Sequence, residues 1–167
     1  MSESRVNFVR QQGFRDATAR AADTQYPALM FQPRIVGVIA LAGVLLQSPW
    51  VFLAVSAVLW WNVVLPALNP FDRLYDALVG ARRGLPSLPP APAPRRFAQG
   101  MAATFTLLIG VSLLAGLSVL SWILQALLLV AVGALVFGKL CAGSYVYLVL
   151  TGQGGFAQCT LPWGRGA

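Results

Sequence analysis

The segment IVGVIALAGVLLQSPWVFLAVSAVLWWNVVLPAL, residues 35–68, carries no formal charge along its whole length. A second apolar stretch, residues 101–150, has Lys139 as its only formal charge. A hydrocarbon core of about 30 Å takes about 20 apolar residues per helical crossing. Each stretch is too long for one crossing and suits two. The reading is an all-α integral membrane protein, with four transmembrane helices arranged as two hairpins and a cytoplasmic interfacial helix between them.

Composition points the same way. Of 167 residues, 57% are hydrophobic and 10% charged, against about 25% charged in an ordinary soluble domain. A soluble bundle would need polar helix faces, and residues 51–59 and 126–135 show almost none. The first 27 residues are polar and Arg-rich, so the apolar run starts too late for the core of a cleavable signal peptide. The first crossing is therefore read as an uncleaved insertion signal. Ser2 after Met1, with no cysteine at either end, argues against lipidation.

The net charge of +7 is distributed unevenly. Arg5, Arg10, Arg15, Arg20 and Arg34 precede the first stretch, and Arg73, Arg82, Arg83, Arg95 and Arg96 lie between the two. The turns within the stretches, near residues 47–50 and 119–122, carry no charge. Arg-rich connections stay on the side of synthesis, which puts both termini and the middle segment in the cytoplasm. Trp50 and Trp122 would then mark the outer interface, and Trp60, Trp61 and Tyr145 the inner one. Arg34, Arg73, Arg82, Arg83, Arg95 and Arg96 are read as contacts to anionic lipid headgroups. No nucleic-acid-binding pattern accompanies the charge, so no nucleic-acid partner is expected.

Five segments follow: an Arg-rich arm (1–27), a first hairpin (28–68), an amphipathic helix with a Pro-rich linker (69–96), a second hairpin (97–150) and a tail (151–167). The arm reads as a helix over 2–22, with Ser2 as cap and Phe8 and Phe14 as its large apolar side chains. It would lie on headgroups, dock on a partner, or stay partly disordered. The first outgoing helix, 35–47, is short for a crossing. Extended back to Ala28 it takes in Pro33 in its first turn and Arg34, which would snorkel. Ser48-Pro49 is the turn; a shallow re-entrant hairpin is the alternative here. Asn69-Pro70-Phe71-Asp72 is a helix start, with Asn as cap, Pro at the first position and Asp72 near the positive end of the dipole. Phe71, Leu74, Tyr75 and Leu78 form one apolar face of an interfacial helix that ends at Gly84. The Pro-rich run 85–94 is an extended strut, or a ligand for an aromatic groove.

The second hairpin is read as 97–120 outward and 122–145 back. Ala102, Thr106 and Gly110 lie four apart on one helix, and Ala134, Gly138 and Ala142 on the other. Small-residue seams let membrane helices approach closely, within the bundle or against another protein. Pro33-Arg34 and Pro94-Arg95-Arg96 open the two halves alike, as in a parallel duplication.

Few groups carry chemistry. There is no histidine, which removes imidazole haem ligation and the usual proton shuttle. No carboxylate lies in a crossing, as a self-contained cation pump would need. No catalytic residue, metal or cofactor is expected. Asn62, Thr104 and Thr106 fall at similar depth and are read as an interhelical hydrogen-bond set or a ligand contact, while Gln125 lies too near the outer face to join them. Lys139 would snorkel or pair with Asp72 or Asp76. Cys141 and Cys159 fall on the reducing side, so no disulfide is expected. Cys141-Ala142-Gly143-Ser144 has CxxS spacing, and a cation such as Lys139 nearby favours a reactive thiolate; the alternative is an inert buried thiol.

The Asn-Pro-Phe-Asp run at 69–72, Pro-Arg-Arg-Phe at 94–97, Cys141 and the arm VNFVRQQGF at 6–14 resemble an uncharacterised family of small bacterial inner-membrane proteins, over residues 5–150. The resemblance implies the bacterial inner membrane. Members often carry a CxGC-like pair where this chain has Ser144 in second place, and some are encoded near or fused to thiol-redox and sulfur-transfer proteins. The leading expectation is a non-enzymatic accessory or scaffold subunit that engages partner membrane proteins and lipids. A thiol-redox or sulfur-handling component using Cys141 is the alternative. Passage of a small neutral or lipidic molecule near Asn62 is the third.

Overall fold

The computed structural model describes residues 3–85 and 87–164, whose regular elements are all helical, with no strand among them. A short α1 (Glu3–Gln11) precedes the long α2 (Ala19–Leu46) and α3 (Pro49–Val64). A 3-10 turn (Pro66–Leu68) leads into α4 (Pro70–Tyr75), which passes through a π turn (Asp76–Gly80) to α5 (Ala81–Arg83). The second half holds α6 (Ala93–Leu114), α7 (Ser118–Val136), α8 (Ala142–Leu150) and α9 (Gly154–Cys159). Helices α2, α6 and α7 are each long and apolar enough to cross a membrane. The shorter apolar helix α3 has 16 residues, about 24 Å at 1.5 Å per residue. The shortage of length expected in the outgoing helix therefore falls on the returning one.

The first helix starts well before residue 28. Thr18 caps α2 by accepting from the Ala21 N–H at 3.3 Å, and the helix continues through both Pro27 and Pro33. An interior proline costs about 3 kcal/mol. Burial of Leu29 and Met30, about 1.5–3 kcal/mol each, offsets much of that, so tertiary packing overrides local propensity. At the far end Gln47 adopts a left-handed φ of 45° and Pro49 takes the first position of α3. This is the turn expected at Ser48-Pro49.

The arm is not one helix over 2–22. It stops at Gln11 and turns at Gly13, whose φ is +103°. A Cβ at Gly13 would lie 2.7 Å from Pro92 Cβ, so the close approach of the Pro-rich linker also demands glycine. The arm docks on its own chain: Phe8 and Val9 are buried with Tyr26, Leu29, Met30 and Cys141. Asn7 Nδ2 donates to the carbonyls of Leu161 and Gly164, at 3.1 and 3.0 Å. Ser2, the expected cap, lies outside the described residues.

The helix expected over 122–145 also breaks. It ends at Val136 instead of running to Tyr145. The Lys139 N–H donates to Leu135 O and the Leu140 N–H to Ala134 O, both at 3.1 Å, and Lys139 takes a φ of 55°. Ala134, Gly138 and Ala142 thus straddle a turn and do not form the expected seam. The other seam is differently placed. Thr106 and Gly110 are buried on α6, and a Cβ at Gly110 would sit 2.8 Å from Leu53 of α3. Ser56 Oγ donates to Ala103 O at 2.8 Å across the same contact. The α3–α6 pair is the most extensive helix contact in the fold, and it joins one hairpin to the other.

The interior runs in three clusters along the bundle. Ala40, Phe52, Ile109 and Leu128 lie toward the interhelical turns. Val36, Val55, Leu59 and Ala103 occupy the middle. The cluster around Phe8 and Met30 closes the Arg-bearing end, where α1, the linker, α8 and α9 cap the bundle. Of the expected interfacial face, Phe71 and Tyr75 turn inward, while Leu74 and Leu78 stay 45% and 49% exposed. Gly84 ends that helix with a φ of 61°.

Candidate functional site

A layer of buried polar side chains lies where the middle cluster meets the cap. Asn69 caps α4, its Oδ1 accepting from the Phe71 N–H at 3.0 Å. That start places Asp72 one turn into α4, opposite Arg95 in the first turn of α6. Arg95 grips Asp72 with two bonds, Nη1 to Oδ2 at 3.0 Å and Nη2 to Oδ1 at 2.7 Å. Such a fork is among the stronger ion-pair geometries. The two side chains are only 5% and 15% exposed. Gln32 of α2 completes the staple, its Oε1 facing Asn69 Nδ2 at 3.3 Å, Arg95 Nη2 at 3.3 Å and Gln99 Nε2 at 2.9 Å. One short bond and two long ones are what three donors sharing one carbonyl oxygen give. Three segments of the chain are tied at one oxygen.

Arg95 therefore departs from its expected role. It is buried on Asp72 and Gln32 and does not present its charge to headgroups, because an acid at the start of α4 sits close enough to neutralise it. Arg34, Arg73, Arg82, Arg83 and Arg96 are exposed. Arg5 pairs with Asp23 at 3.7 Å and lies over the Tyr26 ring. Arg15 reaches Gln153 and the Phe156 ring, so part of the arm's charge holds the arm to α2 and the tail.

Asn62 is fully buried, and neither its amide nitrogen nor its oxygen has a protein partner; Gln99 Oε1 is likewise unpartnered. Asn62 lies three residues past Leu59 and Gln99 four before Ala103. Leu59 and Ala103 share a cluster, so helical spacing sets both amides at the level of the staple. Each unpartnered buried group costs about 1–3 kcal/mol. The expected Asn62–threonine set is not formed. Thr106 donates to its own helix at Ala102 O and Ala103 O. Thr104 is exposed and donates to Gly100 O.

Cys141 sits at the N-cap of α8. Its N–H donates to Gln11 Oε1 at 2.9 Å, and Ser144 Oγ donates to its Sγ at 3.3 Å. Ser144 also lies 3.3 Å from the Pro94 carbonyl. Cys141 is buried, Cys159 at the end of α9 is partly exposed, and both are free thiols. Lys139 Nζ donates to Ser4 Oγ at 2.8 Å, and Asp72 is taken by Arg95. Among the described residues no group of acidic, histidine or cysteine side chains is arranged to hold a metal.

Sequence reasoning overlooked Gln11, Gln32 and Gln99. The available signal was their type and place: an amide in an apolar helix is costly unless paired, so its partner should be sought. Gln125 repeats the lesson near the opposite end, where Gln47 Nε2 donates to its Oε1 at 2.9 Å.

Residues 26–151 match the model of a domain of unknown function, DUF4395. The chain belongs to that family, which is the kind of uncharacterised family its motifs resemble. No curated protein and no solved structure matches it. The matched region holds the whole polar staple and Cys141, and leaves out α1 and α9.

Removing one partner of a buried pair strands the other charge. Asp72→Leu alone or Arg95→Met alone should lower stability by about 3–5 kcal/mol, and the two together by much less. Thermal unfolding in mild detergent, run as a double-mutant cycle, checks this. Additive losses, the double variant losing the sum of the two single variants, would show that the pair holds nothing together.

Proposed function

We propose that this chain is a four-pass protein of the bacterial inner membrane. In this reading α2, α3, α6 and α7 cross as two hairpins, with both termini and the Arg-bearing connections in the cytoplasm. Its role is non-enzymatic: an accessory or scaffold subunit that engages partner membrane helices and anionic lipid. The observation that carries the reading is the outer face of α7. Of its 19 residues only Ser121, Gln125 and Leu128 are buried. Leu120, Ile123, Leu127 and Val130 are 45–70% exposed and recur at alternating intervals of three and four. This is the spacing of a knobs-into-holes seam, and membrane bundles pack with similar crossing angles.

Purification in gentle detergent should recover stoichiometric partner protein with the wild-type chain. Leu127→Trp should reduce that recovery by about tenfold, as for a central interface position, while leaving the melting temperature unchanged. A stable lone monomer from wild-type membranes would contradict the reading.

A second reading, thiol-redox or sulfur handling at Cys141, is favoured by one specific arrangement. The sulfur lies at the N-cap of α8 and accepts from Ser144 Oγ at 3.3 Å. Alkylation in native membranes separates it from an inert thiol. The thiol reading expects Cys141 to react faster than the more exposed Cys159; slower reaction removes it.

A further inference from the structure

On the flank between α3 and α6 lies a groove of about 560 Å3, lined by Trp60, Val63, Phe97, Met101 and Phe105 with Arg96 among them. Gly100 keeps it open: a Cβ there would meet only Val63 Cγ2, at 3.8 Å. The lining positions on α6 run from Ala93 to Phe105, and the part below the guanidinium, from Arg96 to Phe105, covers nine residue steps, or about 14 Å of helix. That is close to half the roughly 30 Å hydrocarbon core, the depth of one leaflet.

Arg96 is exposed but held in place. Its Nε and Nη2 donate to the Val63 carbonyl at 3.2 and 3.0 Å, an oxygen in the last turn of α3, where carbonyls lack helical partners. Nη1 takes no part in that contact. Trp60, 41% exposed, is the kind of residue found at headgroup level.

An apolar groove alone would take any lipid tail, and an exposed arginine alone would attract any anion. Here the two occur together, an arginine at one end of an aromatic-walled groove one leaflet deep. We propose that this groove binds one anionic phospholipid, with its phosphate on Arg96 and an acyl chain along Trp60, Phe97 and Phe105. Basic pockets between membrane helices on the cytoplasmic side recognise anionic headgroups in this way. The inference rests on the membrane reading above and names one lipid contact within it.

The test uses the purified full-length chain in mild detergent and native mass spectrometry. The probes are phosphatidylglycerol and phosphatidylcholine of identical chains, with inorganic phosphate as competitor. One phosphatidylglycerol should bind per chain in preference to phosphatidylcholine. Arg96→Gln should weaken it about five- to tenfold and erase the preference, while Arg82→Gln leaves it intact. Gly100→Leu, which fills the groove, should weaken both lipids. If that variant does not fold, Thr104→Trp at an exposed groove position provides the same arm. Equal retention by all variants, equal loss in Arg96→Gln and Arg82→Gln, or displacement by phosphate with groove-filling variants unaffected would each overturn the proposal. Lipid retention is read on the isolated chain and partner recovery on membranes, so failure of the lipid site and failure of the subunit reading are separately visible.

Discussion

A guanidinium held out of water fixes how the two halves of this chain meet. Arg95, in the first turn of α6, is 4% exposed, and an isolated buried charge is far too costly to persist. Asp72 supplies its counter-charge and Gln32 a further acceptor, so α4 must lie against both α2 and α6. The cap follows from that placement. With α6 anchored at its start, Pro92 and Pro94 are brought against Gly13, and Ser144 comes within reach of the Pro94 carbonyl. A buried ion pair is weak evidence for stability as such. Here its consequence is geometric: it selects one docking of the hairpins among the many that apolar surfaces alone would allow.

The remaining contact between the halves is made by close approach. In the membrane reading, the hydrophobic effect gives little reason for one apolar helix to prefer another over lipid. Gly110 against Leu53 and Ser56 on Ala103 O let α3 and α6 gain dispersion contacts and a hydrogen bond that lipid cannot supply. The order along the bundle is therefore amide pairing and the Gly110 approach toward the turns, the Ser56–Ala103 hydrogen bond in the middle, and a charged staple under the cap.

Much of this was legible in the sequence. Apolar run length located the long helices, Ser48-Pro49 the first turn, Asn69-Pro70 the start of α4 and Gly84 the end of α5. What escaped was non-local. Pro33 reads locally as part of a first helical turn, yet the helix starts earlier and buried Tyr26, Leu29 and Met30 carry it through both Pro27 and Pro33. The break at residues 137–141 has only Gly138 and the lone Lys139 as local signs. It forms because α8 packs on the start of α6, where Gly143 meets Ala98. Arg95 and Arg96 are neighbours of one type with opposite fates, one buried on Asp72 and one exposed beside a groove. Helical phase separates them, and only the position of α4 reveals which faces inward. Of the candidate polar groups, Asn62 was singled out, but its depth beside Gln99 depends on the register of α3 against α6.

The account depends most on the arginine-bearing cap lying inside the cell while the turns at residues 47–48 and 115–117 lie outside. Cysteines placed singly at Ser87 and Ser118, both exposed, in a chain with Cys141 and Cys159 replaced, test this directly with a membrane-impermeant thiol reagent. Labelling of Ser118→Cys in intact cells, with Ser87→Cys labelled only after permeabilisation, is the predicted result. The reverse pattern, or labelling of both in intact cells, would contradict it.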